Sequence, residues 1–318
     1  MLLQDPQRHP ASAQRGFAAH RTAPHVDYSD GRDASDGENP GEARAAALRI
    51  WLGCRHGPRV GRAVNDPFWP SRPWVVGHRG APRRETENTL ASFEALVGIG
   101  ADAAEFDVRR SSDGVLLVYH TQWVRNAPGR RPVLVRNLTY AAICAALSST
   151  PQARVHGRLC GGDVPPRLED AVSQLGGRIR MDVELKQVGY EAEVLDILAR
   201  HAPPETYMVT SFRESVVATC KRLHPDVRAG LLLGWHGAGT MVGMSPFRRA
   251  RRCNADFIVP HKALVDTSLL DRANRDGVPV MVYTVNQQRH LERLLHDPRV
   301  AGVITDVPDV AIEIRSGR

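Results

Sequence analysis

The chain has 318 residues, 42% hydrophobic and 24% charged, enough for one domain of α/β-barrel size or for two ordinary domains. Its formal net charge of +7 favours anionic partners, whether phosphate, nucleic acid or an acidic membrane surface. The five cysteines, Cys54, Cys144, Cys160, Cys220 and Cys253, include no C-x-x-C pair, which argues against a disulfide framework and a thiolate zinc site and for a reducing, cytoplasmic compartment.

Residues 1–70 are rich in Arg, His, Asp, Gly and Pro. They sustain no apolar periodicity beyond the patch from Ala45 to Leu52, so they read as a disordered or weakly ordered N-terminal extension. A regulatory tail, a basic anchor and a start placed too early all remain open for it. Its mixed charge speaks against a specific nucleic-acid tether. The secretory pattern of a basic region followed by an apolar one is missing, and no apolar run approaches transmembrane length.

Residues 71–318 have a different rhythm. The pattern predicts a strand at Trp74–Gly77, a helix near Leu90–Val97 and a strand at Ala103–Arg109. After the turn Ser112-Asp113-Gly114 it predicts a hairpin strand at Val115–Tyr119. Helical patterns follow over Tyr140–Leu147 and Leu168–Leu175. Further strands are expected at Ile179–Leu185, Tyr207–Ser211, Arg228–Leu233, Phe257–Pro260, Val278–Tyr283 and Gly302–Thr305. Helices at Glu191–His201, Glu214–Leu223, Ser268–Arg275 and Gln288–His296 separate them, a helix at Val307–Arg315 closes the chain, and residues 237–252 hold an apolar, basic stretch of helical character. Eight main strands alternating with helices fit a closed (β/α)8 barrel with a small hairpin after strand two. A doubly wound sheet is the runner-up, but no Gly-x-Gly-x-x-Gly follows a strand.

In such a barrel the chemistry lies where strands end. His78 and Arg79 follow strand one, and Glu105 and Asp107 lie on strand two. Glu184 and Lys186 close strand three, and Ser211 and Phe212 close strand four. Trp235 and His236 follow strand five and His261 follows strand six. Tyr283, Thr284 and Asn286 end strand seven, and Thr305-Asp306 ends strand eight. Glu105 and Asp107, two residues apart, point to one side with backbones roughly 6.6 Å apart at a rise of about 3.3 Å per residue. With Glu184 they form an all-carboxylate set suited to one divalent cation, Mg²⁺ or Ca²⁺. His78 and His120 offer acid/base chemistry at neutral pH, and Arg79 can clamp phosphate oxygens. Asn88-Thr89 reads as the cap of the first helix, with Glu87 ordering the loop before it.

The order His78-Arg79-Gly80, Glu87-Asn88-Thr89, Glu105-Phe106-Asp107, Asp113-Gly114, His120 resembles the signature of the glycerophosphodiester phosphodiesterase family. The resemblance continues through Pro165-Pro166-Arg167-Leu168-Glu169, Glu184-Leu185-Lys186, Thr210-Ser211-Phe212, Tyr283-Thr284-Val285-Asn286 and Gly302–Pro308, and so covers roughly Trp74 to Arg315. It implies a metal-dependent barrel that cleaves glycerophosphodiesters to sn-glycerol 3-phosphate and an alcohol. His78 and His120 would then be the acid/base pair, Glu105, Asp107 and Glu184 the metal ligands, and Arg79 and Lys186 the phosphate counter-charges. Phe212 and Tyr283 would contact substrate, with Glu87 and Asn88 supporting the site. Action on lysolipid headgroups and a phosphate-binding barrel with little activity are the alternatives. Three positions depart from the family pattern. Thr121 follows His120 where Asp is usual, Tyr283 stands where Trp is more usual, and no proline precedes Glu87.

Overall fold

The computed structural model describes residues 66–125, 131–155, 158–160, 162–234 and 245–317. The expected extension lies outside the described residues up to position 65, as do Trp235 and His236.

Eight parallel strands make the barrel among the described residues. In chain order they are β1 (Trp74–His78), β2 (Ala103–Arg110), β8 (Arg180–Leu185), β9 (Tyr207–Ser211), β10 (Arg228–Leu233), β11 (Phe257–Pro260), β12 (Met281–Val282) and β13 (Gly302–Thr305). The sheet runs β11-β10-β9-β8-β2-β1-β13-β12, and the parallel bridges Ile258–Val280 and His261–Tyr283 join its two ends. The seventh strand is shorter than its apolar run predicts. Pro279 has no N–H to give to a ladder, and it serves only as acceptor from the Ile258 N–H at 3.1 Å.

The two-residue period of a strand sorts side chains between two cores. Trp74, Val76, Ala103, Met208, Leu232, Phe257, Val259, Met281 and Ile304 fill the inside of the barrel. Phe68 and Trp69 pack edge-on against one another and against Trp74 and Phe257, beside the starts of β1 and β11. Their alternate neighbours, such as Val75, Ala104, Val183 and Val303, face the helices. Each fully buried Val, Leu or Phe contributes about 1.5–3 kcal/mol over an exposed one.

The helices begin and end on local signals. Helix α1 (Leu90–Ile99) starts where Thr89 Oγ1 accepts the Ser92 N–H at 3.2 Å, and stops at Gly100 with φ +80°. Helices α3 (Leu168–Leu175), α4 (Glu191–His201) and α5 (Glu214–Leu223) have the predicted bounds, and α6 (Pro246–Arg252) occupies the basic stretch. Helices α7 (Thr267–Asp276) and α8 (Gln288–Leu295) follow. The last helix, α9 (Pro308–Arg315), is tied to β1 through Asp102. This carboxylate pairs with Arg315 and accepts the Val75 N–H at 2.7 Å.

Between β2 and α3 the chain builds more than one hairpin strand. β3 (Leu116–Val118) pairs antiparallel with β2, as expected. Beyond it lie the hairpin β4 (Trp123–Val124) with β5 (Val133–Leu134), helix α2 (Tyr140–Ser148), and the hairpin β6 (Ala153–Val155) with β7 (Arg158–Cys160). Strands of two or three residues are too short to show a period, so the sequence pattern revealed only α2. Leu117, Val124, Val135, Ile143 and Leu147 give this insertion its own small core. It is tied to the loop after β1, since the Leu159 N–H donates to Pro82 at 2.7 Å and the Glu87 N–H to Leu159 at 3.2 Å.

Gly77 sets how closely α1 lies on β1. A Cβ there would strike the Leu96 methyls and stand 2.5 Å from the Gly80 carbonyl, which is backbone and cannot swing aside. Gly77→Ala is therefore expected to cost about 1–3 kcal/mol. Calorimetry should show a Tm lower by several degrees, and an unchanged Tm would contradict this packing.

Candidate active site

Register brings the predicted carboxylates together. β2 and β8 pair with Glu105 opposite Asp182 and Asp107 opposite Glu184, while His78 of β1 lies opposite Glu105. Glu105, Asp107 and Glu184 are all buried, and each offers an oxygen within 4.8 Å of the others. Three hard oxygen donors at this spacing fit one divalent cation. The countercharges around them favour the same reading. Lys186 Nζ lies 2.7 Å from Asp107 Oδ1 and 2.6 Å from Glu184 Oε1, a cation already drawn between two members of the set. Burial, with repulsion from Asp107 and Glu184, pushes the Glu105 carboxyl well above its ordinary range. Burial likewise raises Glu184, whereas for Asp107 burial is outweighed by Lys186 and Arg79, which hold it well below.

The loop after β1 supports this set from one side. Arg79 and Asn88 both adopt left-handed backbone, with φ +58° and +60°. Non-glycine residues held there cost of order 1–3 kcal/mol each, and the local contacts hold them in place. The Arg79 N–H donates to Glu105 Oε2 at 3.0 Å, and its guanidinium reaches Asp107 Oδ2 at 3.0 Å and Glu87 Oε1 at 2.8 Å. Asn88 Nδ2 donates to Asp107 Oδ2 at 2.8 Å. Thr89 alone supplies the side-chain cap of α1, so Asn88 is a carboxylate holder rather than part of the cap.

The two histidines sit in unlike settings. His78 Nδ1 is 2.7 Å from Asp306 Oδ1, at the end of β13. Asp306 is itself fixed by Asn286, which donates from Nδ2 at 2.7 Å and accepts the Asp306 N–H at 2.8 Å. Burial opposes ionisation of Asp306, but His78, Arg158 and Asn286 together outweigh it and the carboxyl is held down at about 2. An ionised carboxylate on Nδ1 puts the ring proton there and leaves the Nε2 lone pair facing the site, 3.9 Å from Glu105 Oε2. Burial, then Arg79, lowers His78. His120 is anchored through its backbone instead: its carbonyl accepts from Arg109 Nε at 3.0 Å and Nη2 at 2.8 Å. Burial pushes its ring down to about 3.

Sequence reasoning placed Asp306 and Asn286 at strand ends without giving them a task. It missed Arg109 and Arg158 altogether. Arg158, from β7 of the insertion, reaches Glu87 Oε2 at 2.5 Å and Asp306 Oδ1 at 3.5 Å. The alternation Gly302, Ile304, Asp306 was the available signal for Asp306. Nothing in the local pattern marks Arg158.

Phe212 and Tyr283 meet edge to face at 5.9 Å, and Lys186 Nζ lies 5.9 Å from the Phe212 ring. Two cavities border residues of the site. One, of about 540 Å³, is bordered by Glu87, His120, Tyr119, Trp123, Arg125 and Asp163. The other, of about 490 Å³, is bordered by Glu184, Lys186, Phe212, Arg213, Arg249 and Arg252. The arrangement gathers three carboxylates that could hold a cation, two histidines and two cavities.

Comparison with known proteins gives the same answer. The family model described as the glycerophosphoryl diester phosphodiesterase family matches residues 78–310. A glycerophosphodiester phosphodiesterase from Caldanaerobacter subterraneus subsp. tengcongensis is 26% identical over 247 residues, spanning 76% of this chain and 96% of its own. One from Bacillus subtilis is 25% identical over 262 residues, spanning 78% and 88%. Among solved structures, a protein from Silicibacter pomeroyi DSS-3 superposes with a TM-score of 0.68 at 25% identity, covering 82% of this chain and 96% of that one. A phosphodiesterase from Oleispira antarctica, solved with the product sn-glycerol-3-phosphate, shares the fold with a TM-score of 0.63 at 21% identity, over 77% and 97% of the two chains. With its barrel and matched span together, the chain belongs to the glycerophosphoryl diester phosphodiesterase family.

Proposed function

We propose that the chain hydrolyses glycerophosphodiesters to sn-glycerol 3-phosphate and an alcohol, with the site residues in the roles given below. The observation that carries this reading is the buried trio Glu105, Asp107 and Glu184 on adjacent barrel strands, with His78 at the end of β1 and His120 just beyond the hairpin strand β3. The Oleispira antarctica enzyme, with sn-glycerol-3-phosphate bound in the same fold, supports the substrate class.

Glu105, Asp107 and Glu184 would hold one divalent cation, Mg²⁺ or Ca²⁺. When bound, it supplies Lewis-acid polarisation of the phosphoryl oxygen and lowers the pKa of the attacking oxygen. The attacker is water, or a glycerol hydroxyl that closes a cyclic phosphate, whose ring P–O bond a water then breaks to give sn-glycerol 3-phosphate. In either case His78 Nε2 accepts its proton as the new O–P bond forms, and Asp306 stabilises the resulting imidazolium. His120 gives a proton to the leaving alcohol oxygen as the other P–O bond breaks. An arriving phosphate anion opposes the burial that keeps His120 near 3 and raises its proton affinity. Arg79 and Lys186 share their charge between the carboxylates and the phosphate. Phe212 and Tyr283 wall the glycerol arm, and Glu87 and Asn88 hold Arg79 and Asp107 in place.

Among the described residues no helix is long and apolar enough to cross a membrane.

Wild-type protein should release glycerol 3-phosphate from glycerophosphocholine, and either EDTA or His78→Ala should lower the rate by about 10²-fold or more. Activity that survives both would overturn the mechanism, and equal choline release from lysophosphatidylcholine would move the substrate to lysolipids. Asp306→Asn should lower kcat by about 10²–10⁴-fold with KM within a few-fold, because the wrong ring nitrogen then carries the proton. A matching rise in KM would show that Asp306 serves binding instead. Mg²⁺ or Ca²⁺ at about 100 times its Kd should stabilise the fold by about 2.7 kcal/mol. In EDTA, Glu105→Gln should melt no lower than wild type, since it relieves repulsion from Asp107 and Glu184, yet it should lose the metal-induced rise in Tm. A large drop in its metal-free Tm would refute the charge argument.

A further inference from the structure

One guanidinium joins two lines of side chains that lead to the reacting centre. Arg158 Nη2 lies 2.5 Å from Glu87 Oε2, and Glu87 Oε1 lies 2.8 Å from Arg79 Nη1. Arg79 in turn reaches Asp107 with its guanidinium and Glu105 with its backbone N–H. Arg158 Nε also lies 3.5 Å from Asp306 Oδ1, the same oxygen that meets His78 Nδ1 at 2.7 Å. Asp306 thus links Arg158 to His78, and Glu87 with Arg79 links it to the carboxylates. The side chains of Arg158 and Glu87 are each only 16% exposed, so solvent and salt screen this pair far less than a surface pair.

The hairpin that carries Arg158 is docked by other bonds. The Leu159 N–H donates to the Pro82 carbonyl at 2.7 Å, and the Leu159 carbonyl accepts the Glu87 N–H at 3.2 Å. Gln152 Nε2 donates to Thr86 Oγ1 at 2.8 Å, and Arg154 Nη1 donates to the Arg83 carbonyl at 3.2 Å. These bonds hold the backbone beside Arg158 on the loop between β1 and α1, and so fix where its side chain starts. The Arg158 charge supplies what the docking bonds do not. It puts a cation on the second oxygen of Glu87, so that Glu87 holds Arg79 from a fixed place. It also sets a positive group near Asp306 Oδ1, beside the bond to the His78 ring. Side chains fixed in this way hold the groups in front of them to a narrow range of positions.

We propose that Arg158 is a positioning residue, contributed by the insertion, that sets His78 through Asp306 and the three carboxylates through Glu87 and Arg79. This rests on the phosphodiesterase reading above and deepens it, because it adds to the site a residue from outside the barrel strands. Arginine suits the task because its planar fork serves two carboxylates at once, which the point charge of a lysine does not. Displacing reacting groups by about 1 Å lowers the rate steeply even when substrate still binds.

The test measures kcat and KM for glycerophosphocholine on the metal-loaded full chain as wild type, Arg158→Ala, Arg158→Lys and Arg154→Ala. Arg158→Ala should lower kcat by about 10- to 100-fold with KM within a few-fold. Methylguanidinium at millimolar concentration should restore a large part of that loss, because it returns a planar charge to the same place. Arg158→Lys should lose several-fold in kcat at unchanged KM, since an ammonium cannot hold both carboxylates. Arg154→Ala removes a docking bond of the same hairpin and should keep wild-type kinetics. A wild-type kcat in either Arg158 variant, a KM that rises as far as kcat falls, or an equal loss in Arg154→Ala overturns the positioning role. A loss in Arg158→Ala that methylguanidinium leaves untouched overturns it as well. If Arg158→Ala fails to fold, the kcat of Arg158→Lys decides. Wild type that hydrolyses no glycerophosphodiester overturns the phosphodiesterase reading, and the role of Arg158 falls with it. With an active wild type, each result bears on Arg158 alone.

Discussion

Three carboxylates within 4.8 Å of one another in a buried pocket repel, and the structure around them is organised by that repulsion. Lys186 stands between two of them, and Arg79 reaches a second oxygen of Asp107 while its backbone N–H holds Glu105. Asn88 adds a neutral hydrogen bond to Asp107. Glu87 and Arg158 then brace Arg79 from behind. Buried charges without such partners would protonate instead, and Glu105 is already pushed in that direction. A divalent cation held by the three carboxylates would relieve that repulsion, and metal binding would then be linked to the stability of the fold.

The rest of the barrel makes that concentration of charge tolerable. Beneath the carboxylates the inner columns turn apolar, with Val76, Ala103, Met208, Val259 and Ile304 excluding water from below. Between them lies Asp182, pushed up to about 7 by burial and hydrogen-bonded to Thr210 Oγ1 at 2.8 Å. Polar groups thus collect at one end of each inner column, where loops can reach them. The close approach at Gly77 brings α1 and its preceding loop down onto β1. That loop carries Arg79 and Asn88, so a packing detail on the outside of the sheet helps to aim the charges inside it.

An asymmetry runs through the site. His78 is held through its ring, by a carboxylate that Asn286 locks in turn, whereas His120 is held through its carbonyl, which accepts from Arg109. This contrast suits the roles proposed for them, a base with a set tautomer and a donor that gains its proton as charge arrives. The cavities extend the asymmetry outward, mixed in charge on the His120 side and rich in arginine on the Lys186 side.

Much of this was legible in the order of residues. A strand's two-residue alternation is local, so Glu105 and Asp107 had to share a face of their strand, and Glu184 and Lys186 a face of theirs. Apolar runs separated by helical patterns required βα units, and the bounds of α3, α4 and α5 followed from their own amphipathic spacing. What the sequence could not decide was which columns stand side by side. Asp306 meets His78 across 228 residues because β13 closes beside β1, and that neighbourhood is set by closure of the ring. Arg158 arrives on a three-residue strand too short to announce itself, and Arg213, Arg249 and Arg252 gather only because α5 and α6 pack together. The sequence alone determined the chemical groups and the faces they occupy. The tertiary structure determined their partners, because strand register and loop docking depend on packing between segments that no local pattern encodes.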